Sequence, residues 1–261
     1  MSSTMDSDPG GSPEPYPGLM LTGERTLPGI WHEGYWFARH QAAYSWLAPQ
    51  VAAGIVLEAG CGEGYGAALL LDAGASTVVG LDYDEATVAH VHRCYPRVQV
   101  VQANLVALPL PDESVDAVVS LQTVEHLWDQ PGFVAECVRV LRPGGRLAVS
   151  TPNRLTFSPG VGRGGKPLNP FHVNEFDAEE LVDLLAEHCA VDGVFTTHHG
   201  PRIELWERVH GSLVDAQLAV SYGEWDAELS GLVASLTRED FVVRRDSVDK
   251  SLDLVVLGRA R

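Results

Sequence analysis

From Gly54 onward, short aliphatic runs alternate with longer stretches of mixed polar and apolar residues. Ile55–Leu57, Thr77–Leu81, Val98–Val101, Val115–Leu121 and Arg146–Ser150 are short, rich in β-branched residues and read as buried strands. The intervening stretches Tyr65–Asp72, Asp84–Cys94 and Gln130–Leu141 read as helices. Strands alternating with helices predict βαβ units, and so a mostly parallel, twisted α/β sheet with helices on both faces. Arg142-Pro143-Gly144-Gly145 reads as a turn ending the third of these helices, because proline cannot continue it.

The pattern changes after the fifth strand. A Gly/Pro-rich loop, Ser158–Pro170, precedes a helix starting near Asp177, where Asp-Ala-Glu-Glu supplies an N-cap and an acidic first turn. A sixth strand is predicted around Val191–Thr197. Residues from Ile203 to Leu236 read as a helical insertion, about 200–240 in all, too short and too embedded for a domain and so predicted to be a lid. Phe241–Arg245 and Leu252–Leu257 close the chain as an antiparallel edge. Upstream, Trp31–Trp46 is expected to be helical. Met1–Pro17 is rich in Ser, Pro and Gly, so residues 1–20 are expected to be a disordered tail and 21–261 a single domain.

Composition narrows the partners. The chain has 261 residues and a net charge of −17, a surface that repels phosphate backbones and anionic lipid heads. No apolar run approaches the roughly 20 residues that a membrane helix needs. The N-terminus has neither the basic nor the apolar segment of a secretion signal. Cys61, Cys94, Cys137 and Cys189 are widely spaced with no metal-ligand pattern, which suits reduced thiols in a cytoplasmic protein. The expected partner is a small molecule or oligosaccharide, not a nucleic acid or a membrane.

The most informative segment is Ile55-Val-Leu-Glu-Ala-Gly-Cys-Gly-Glu-Gly64. Gly60, Gly62 and Gly64 let the backbone turn sharply and approach a ligand that a Cβ would block. The spacing is GxGxG, and Glu58 stands two residues before the first glycine. A carboxylate there sits badly beside a pyrophosphate, which favours an amine-bearing ligand over NAD. Asp82, followed by Tyr83, ends the next strand and suits the two hydroxyls of a ribose. Asn104 follows the third strand, where its amide suits an adenine edge. All three lie at carboxyl ends of successive strands, where open α/β sheets bind ligands.

Taken in order, Glu58–Gly64, Asp82, Ala103-Asn104 with Ala107-Leu-Pro-Leu-Pro-Asp112, Gln122–Leu127 and Leu141-Arg-Pro-Gly-Gly145 resemble the motifs of class I S-adenosylmethionine methyltransferases. The resemblance implies a Rossmann-like methyltransferase fold with an antiparallel final strand. It implies that Glu58, Gly60, Gly62 and Gly64 hold the methionine moiety, Asp82 the ribose and Asn104 the adenine. Asn104 stands where the family usually has Asp. Tyr83, Leu105 and Gln122 complete the expected cofactor set.

Methyl transfer from a sulfonium is an in-line displacement, and a hydroxyl acceptor must also lose its proton to a base or on a metal. Glu125 and His126, after the fourth strand, and His172, after the flexible loop, are the candidates. Some O-methyltransferases of this superfamily hold a divalent ion with Glu-x-x-Glu-His and a downstream His. The matching positions here are Gln122, Glu125, His126 and His172, so Glu125, His126 and His172 are the candidate ligands for Mg2+ or another divalent cation. The other readings are that a histidine acts as general base, or that His126 caps its helix and Glu125 orients the cofactor backbone. Trp31, His32, Tyr35 and Trp36 pack on the core or close over the ligands. His198 and His199 are candidates to line the acceptor pocket. Trp206 and Trp225 can stack on sugar rings or form the lid's own core.

For the acceptor, LTGERTLPG with the following HEGYWFARH resembles methyltransferases found with bacterial glycan-building enzymes. EAGCGEGYG, VEHLWDQ, STPNRLTFSPG and HHGPRIE resemble an actinobacterial and mycobacterial group linked to methylglucose lipopolysaccharide, an intracellular polymethylated polysaccharide. This implies O-methylation of a sugar, at a glucose hydroxyl. The alternatives are a small aromatic or quinone-like acceptor, and a cofactor-binding protein without catalysis.

Overall fold

The computed structural model describes Leu19 and residues 24–261. The tail expected over 1–20 lies outside the described residues, apart from Leu19, which is buried. A 3-10 turn, Trp31–Glu33, leads into helix α1, Gly34–Val51. Strand β1, Ile55–Ala59, then opens the alternation: α2 Tyr65–Asp72, β2 Thr77–Asp82, α3 Glu85–Cys94, β3 Gln99–Gln102, β4 Val115–Leu121, α4 Gln130–Val140 and β5 Leu141–Pro152. A single turn, α5 Arg154–Phe157, precedes α6 Ala178–Ala186 and β6 Ala190–His199. Helices α7 Pro201–His210, α8 Leu213–Ala219 and α9 Ala227–Ser235 follow, then β7 Phe241–Arg244 and β8 Asp253–Arg259.

The local chemistry explains the helix starts. Asp84 accepts from the Ala86 N–H, Asp129 from Gly132, and Asp177 forms a reciprocal capping box with Glu180. Among the described residues the strands form one sheet in the order β3-β2-β1-β4-β5-β8-β6-β7. Pairings from β3 through to β5 are parallel, whereas β8 runs antiparallel to both β5 and β6. The expected closing edge therefore needs correcting: β7 is the edge strand and β8 is interior. Burial explains the difference. Leu254 and Val256 feed one core and Leu257 the other, so β8 needs cover on both faces.

The turn expected at Arg142–Gly145 also takes a different form. The chain is extended from Leu141, and Arg142–Gly145 bulges between two rungs of the β4 ladder, Val115 opposite Leu141 and Ala117 opposite Arg146. Gly144 there has φ +75°, and Ala260 supplies backbone partners to both Gly144 and Gly145.

Two cores lie on opposite faces of the sheet. One packs α1, α2 and α3, around Leu47, Leu70 and Val91; the other packs α4 and α6, around Phe133, Leu181 and Leu185. A third cluster joins the start of α1 (Tyr35, Ala38) to Ile203, Leu213, Leu229 and Val233 of the helices between β6 and β7. Helix α1 thus bridges the sheet and the helical insertion. Its Arg39 makes a buried ion pair with Asp253 of β8, Nε to Oδ2 at 2.8 Å, and donates to the Leu252 carbonyl at 2.9 Å.

Truncating Asp253 to alanine leaves that guanidinium buried without its counter-charge, and is expected to cost about 3–5 kcal/mol in chemical denaturation. Asp72→Ala, which breaks the exposed pair with Arg97, is expected to cost about 1 kcal/mol or less by the same measurement. Equal losses in the two variants would rule out the assigned role of the buried pair.

Candidate active site

The strand order reverses between β1 and β4, which opens a crevice at their carboxyl ends. The glycine loop lies there. Gly60, Gly62 and Gly64 all have positive φ, at +85°, +51° and +102°. Their surroundings differ. A Cβ on Gly60 would strike Thr123, and one on Gly64 would strike Val91 and Tyr95. A Cβ on Gly62 would meet nothing within 4 Å, so the middle glycine faces the open space a ligand needs. The backbone N–H groups of Gly60 and Cys61 both donate to the Leu81 carbonyl at 2.9 Å. Asp82 accepts from the N–H of Gly62 and of Asp84, each at 3.0 Å, which locks the loop to the end of β2. Burial pushes the Asp82 carboxyl above its usual range, partly offset by these two N–H donors.

The remaining residues of the expected cofactor set lie in varied settings. Glu58 is fully buried behind the loop, accepting from the Tyr44 hydroxyl at 2.6 Å and touching the space left by Gly66. Burial raises its carboxyl to about 8, and its Oε2 has no partner among the described residues. The Tyr44 hydroxyl of α1 thus holds one carboxylate oxygen of Glu58 and leaves the other open. Tyr83 is exposed, and Asn104 caps its own turn through the Val106 N–H at 3.1 Å. Leu105 packs in the α4–α6 core, leaving its main chain as the part able to meet a ligand. Gln122 has φ +54° and donates to Ser150 at 3.0 Å and Asp253 at 3.2 Å, so its amide joins the Arg39–Asp253 pair.

A cavity of about 710 Å3 opens past the end of β4, with Arg39, Gln122, Glu125, His126 and His172 on its wall and none of the loop glycines. The segment Glu24–Thr26 crosses its mouth like a strap. Arg25 bonds Asp84 at 3.1 Å, and the Thr26 hydroxyl meets that of Tyr65 at 2.9 Å. Glu24 accepts from the Asn169 amide at 3.1 Å. None of these three residues stands out in the sequence except inside the LTGERTLPG resemblance, since the segment has no periodicity to read.

The strap brings Glu24 to the two histidines. The Glu125 carbonyl accepts from the N–H of Val173 and Asn174, at 2.8 and 3.3 Å, and this folds the 169–175 loop onto the turn Val124–His126. The His126 and His172 rings consequently meet edge to face, centroids 4.9 Å apart. Nδ1 of His126 lies 3.1 Å from the Phe171 carbonyl, which can only accept, so that nitrogen carries the proton and Nε2 keeps its lone pair. Nδ1 of His172 lies 2.7 Å from Glu175. Both Nε2 atoms face Glu24, at 3.7 Å from His126 and 3.5 Å from His172.

Electrostatics sets the two rings apart. Burial pushes His126 down, towards its neutral form. Burial would lower His172 too, but hydrogen bonds to Glu175 and Glu24 outweigh it and hold its pKa up at about 9. Burial likewise disfavours the charge on Glu24, yet its bonds to His172 and Asn169 keep its carboxyl below the usual range. Glu125 is almost wholly buried, its carboxyl raised by burial to about 8 and its Oε2 without a partner among the described residues.

One carboxylate oxygen of Glu24 and one nitrogen each from His126 and His172 lie within 4.8 Å of one another. The candidate ligand set differs from the one expected: Glu24 supplies the carboxylate, and Glu125 lies buried beside the group. His198 and His199 also lie elsewhere. His198 bonds Thr196 at 3.0 Å, while His199 sits between Tyr35 at 2.8 Å and Glu207 at 3.0 Å, both off the cavity wall.

Comparison with known proteins agrees with this architecture. Residues 57–149, from β1 to β5, match the family described as a methyltransferase domain. A probable S-adenosylmethionine-dependent methyltransferase of Mycolicibacterium smegmatis is 53% identical over 248 residues, spanning 92% of this chain and 95% of that protein. One of the same description from Mycobacterium tuberculosis is 52% identical over 252 residues, 92% of this chain and 89% of its own length. A solved methyltransferase from Thermotoga maritima, described as a possible histamine N-methyltransferase, superposes with TM-score 0.57. It covers 87% of this chain and 94% of its own, but at 19% identity that likeness concerns the fold alone. With the crevice, the glycine loop and near-full-length relatives in agreement, the chain belongs to the S-adenosylmethionine-dependent methyltransferases.

Proposed function

We propose that the protein transfers a methyl group from S-adenosylmethionine to a hydroxyl of a sugar, glucose in a polymethylated polysaccharide of the kind the motif resemblance implies. The observation that carries this reading is the convergence of His126 Nε2, His172 Nε2 and Glu24 on one point of the cavity. A thiolate acceptor needs no such group, whereas a sugar hydroxyl must be stripped of its proton as it attacks. The net charge of −17 further suits a neutral acceptor better than a phosphorylated one.

The open face of Gly62 and the carboxylate of Asp82 fit an adenosyl ligand with an unblocked approach to the loop. When bound, S-adenosylmethionine supplies an electrophilic methyl on sulfur, which leaves as S-adenosylhomocysteine while the acceptor oxygen gains the methyl and gives up a proton. Asp82 holds the ribose and fixes Gly62. The strap Glu24–Thr26 excludes water from the crevice, which strengthens the electrostatics within it.

Glu24, His126 and His172 form a two-histidine, one-carboxylate set suited to a divalent cation. Phe171 and Glu175 stand behind the rings as the oxygen acceptors that orient metal-bound imidazoles. Such an ion would lower the pKa of the acceptor hydroxyl. A second reading follows from the neutral state of His126: its Nε2 itself takes the hydroxyl proton, with Glu24 and His172 orienting the acceptor.

In calorimetric titration, S-adenosylhomocysteine should bind and NAD should not. Asp82→Ala should weaken the former at least about tenfold, roughly 1.4 kcal/mol. Undiminished binding by that variant would remove Asp82 from the cofactor site.

Methylation of glucose and small glucosides by the wild type is expected to stop in EDTA and return with Mg2+ or Mn2+. Glu24→Gln and His172→Ala should lower kcat by about 100-fold or more while leaving S-adenosylhomocysteine affinity within twofold. Activity indifferent to EDTA, but lost in His126→Ala, would select the proton-acceptor reading. Turnover of catechols with none of glucosides would sink the sugar assignment.

A further inference from the structure

Beside the main cavity lies a second, more open one of about 500 Å3, between the start of α1 and the segment after α8. The two share three wall residues, Glu33, Trp36 and Leu218, so they are neighbouring rooms of one groove. The second room is walled by aromatic rings. His32 and Tyr222 stack face to face, centroids 3.9 Å apart and 3° from parallel, and Trp225 and Trp36 flank them. Tyr222 remains 51% exposed, outside the third core.

Polar groups accompany the rings. Glu33 brings a half-buried carboxyl to the shared wall. Gln217 is buried, with its Nε2 donating to the Leu213 carbonyl at 3.2 Å and its Oε1 lacking any partner among the described residues. A buried amide oxygen left unpaired is costly, and a turn of the Gln217 side chain towards the cavity would let a ligand hydroxyl satisfy it. Flat apolar faces with a few acceptors at their margins suit sugar rings, whose axial C–H groups and equatorial hydroxyls call for both.

We infer that this second cavity is an acceptor subsite, so that the enzyme takes a chain of linked sugars with one ring at the histidine cluster and the next rings across Trp36 on Tyr222 and Trp225. The inference rests on the sugar-methylation reading and adds the surface on which the neighbouring rings of the acceptor chain bind. The other two tryptophans near the insertion play different parts. Trp206 stacks on His210 away from both rooms, and Trp31 buttresses Tyr222 and Trp225 edge-on.

The test titrates glucose and its linear oligomers of two to six units into the protein saturated with S-adenosylhomocysteine, by calorimetry, alongside methyl-transfer assays on the same series. Wild-type affinity should rise at least tenfold from the single ring to the four-ring oligomer. Tyr222→Ala should abolish that gain and leave single-ring KM, kcat and S-adenosylhomocysteine affinity unchanged. Gln217→Met, which keeps shape and removes the amide, should reduce the gain several-fold. Affinity independent of chain length, or equal weakening of short and long acceptors in Tyr222→Ala, would overturn the subsite. Length-dependent binding with no methyl transferred to any sugar would instead sink the reaction assigned above and leave the subsite standing. Methylation of single glucosides with no length dependence would sink the subsite alone.

Discussion

One buried guanidinium organises the site. Arg39 leaves the bridging helix α1 and meets Asp253 at the start of β8, and the same carboxylate receives the Gln122 amide from the end of β4. Three elements distant in sequence are thereby pinned at the end of the sheet where the crevice opens. Such a pair has to be satisfied completely, because each charge is costly without the other in a dry interior. Gln122 completes the set and accepts a left-handed backbone in doing so, an unfavourable conformation that the surrounding bonds sustain. The turn carrying Glu125 and His126 begins directly after it, so the aim of those side chains depends on this anchor.

Around the histidines the organising element is an excess of carboxylates. Glu24, Glu125 and Glu175 surround two imidazoles; bonds to Glu175 and Glu24 hold the pKa of His172 up, whereas burial pushes that of His126 down. The two rings are oriented from behind by oxygen acceptors, one a backbone carbonyl and the other a carboxylate, so little reorganisation is needed as charge shifts in front of them.

The βαβ core was legible in the sequence because its signals are local. Aliphatic runs mark the strands, Asp84, Asp129 and Asp177 cap helices, and Gly60, Gly62 and Gly64 allow a turn that few other residues permit. Features that depend on distant partners were not legible. The interior place of β8 is decided by which strands flank it, and both faces of Leu254–Leu257 are apolar whichever neighbours it has. The bond that Glu58 receives from Tyr44, fourteen positions earlier, has no mark in the sequence. Glu24 joins His172 across 148 residues, and nothing near Glu24 in the chain signals that meeting. His198 and His199 looked available only because the sequence does not show Thr196, Tyr35 and Glu207 waiting for them.

The strap at the mouth has a thermodynamic consequence. Glu24 touches the histidine side of the cleft, and Arg25, its immediate neighbour, touches the N-cap of α3 on the glycine-loop side. A ligand that displaces one of these residues moves the other through a single peptide bond. A displacement on one side of the cleft would therefore carry a free-energy cost on the other, and linkage would make that effect equal in both directions.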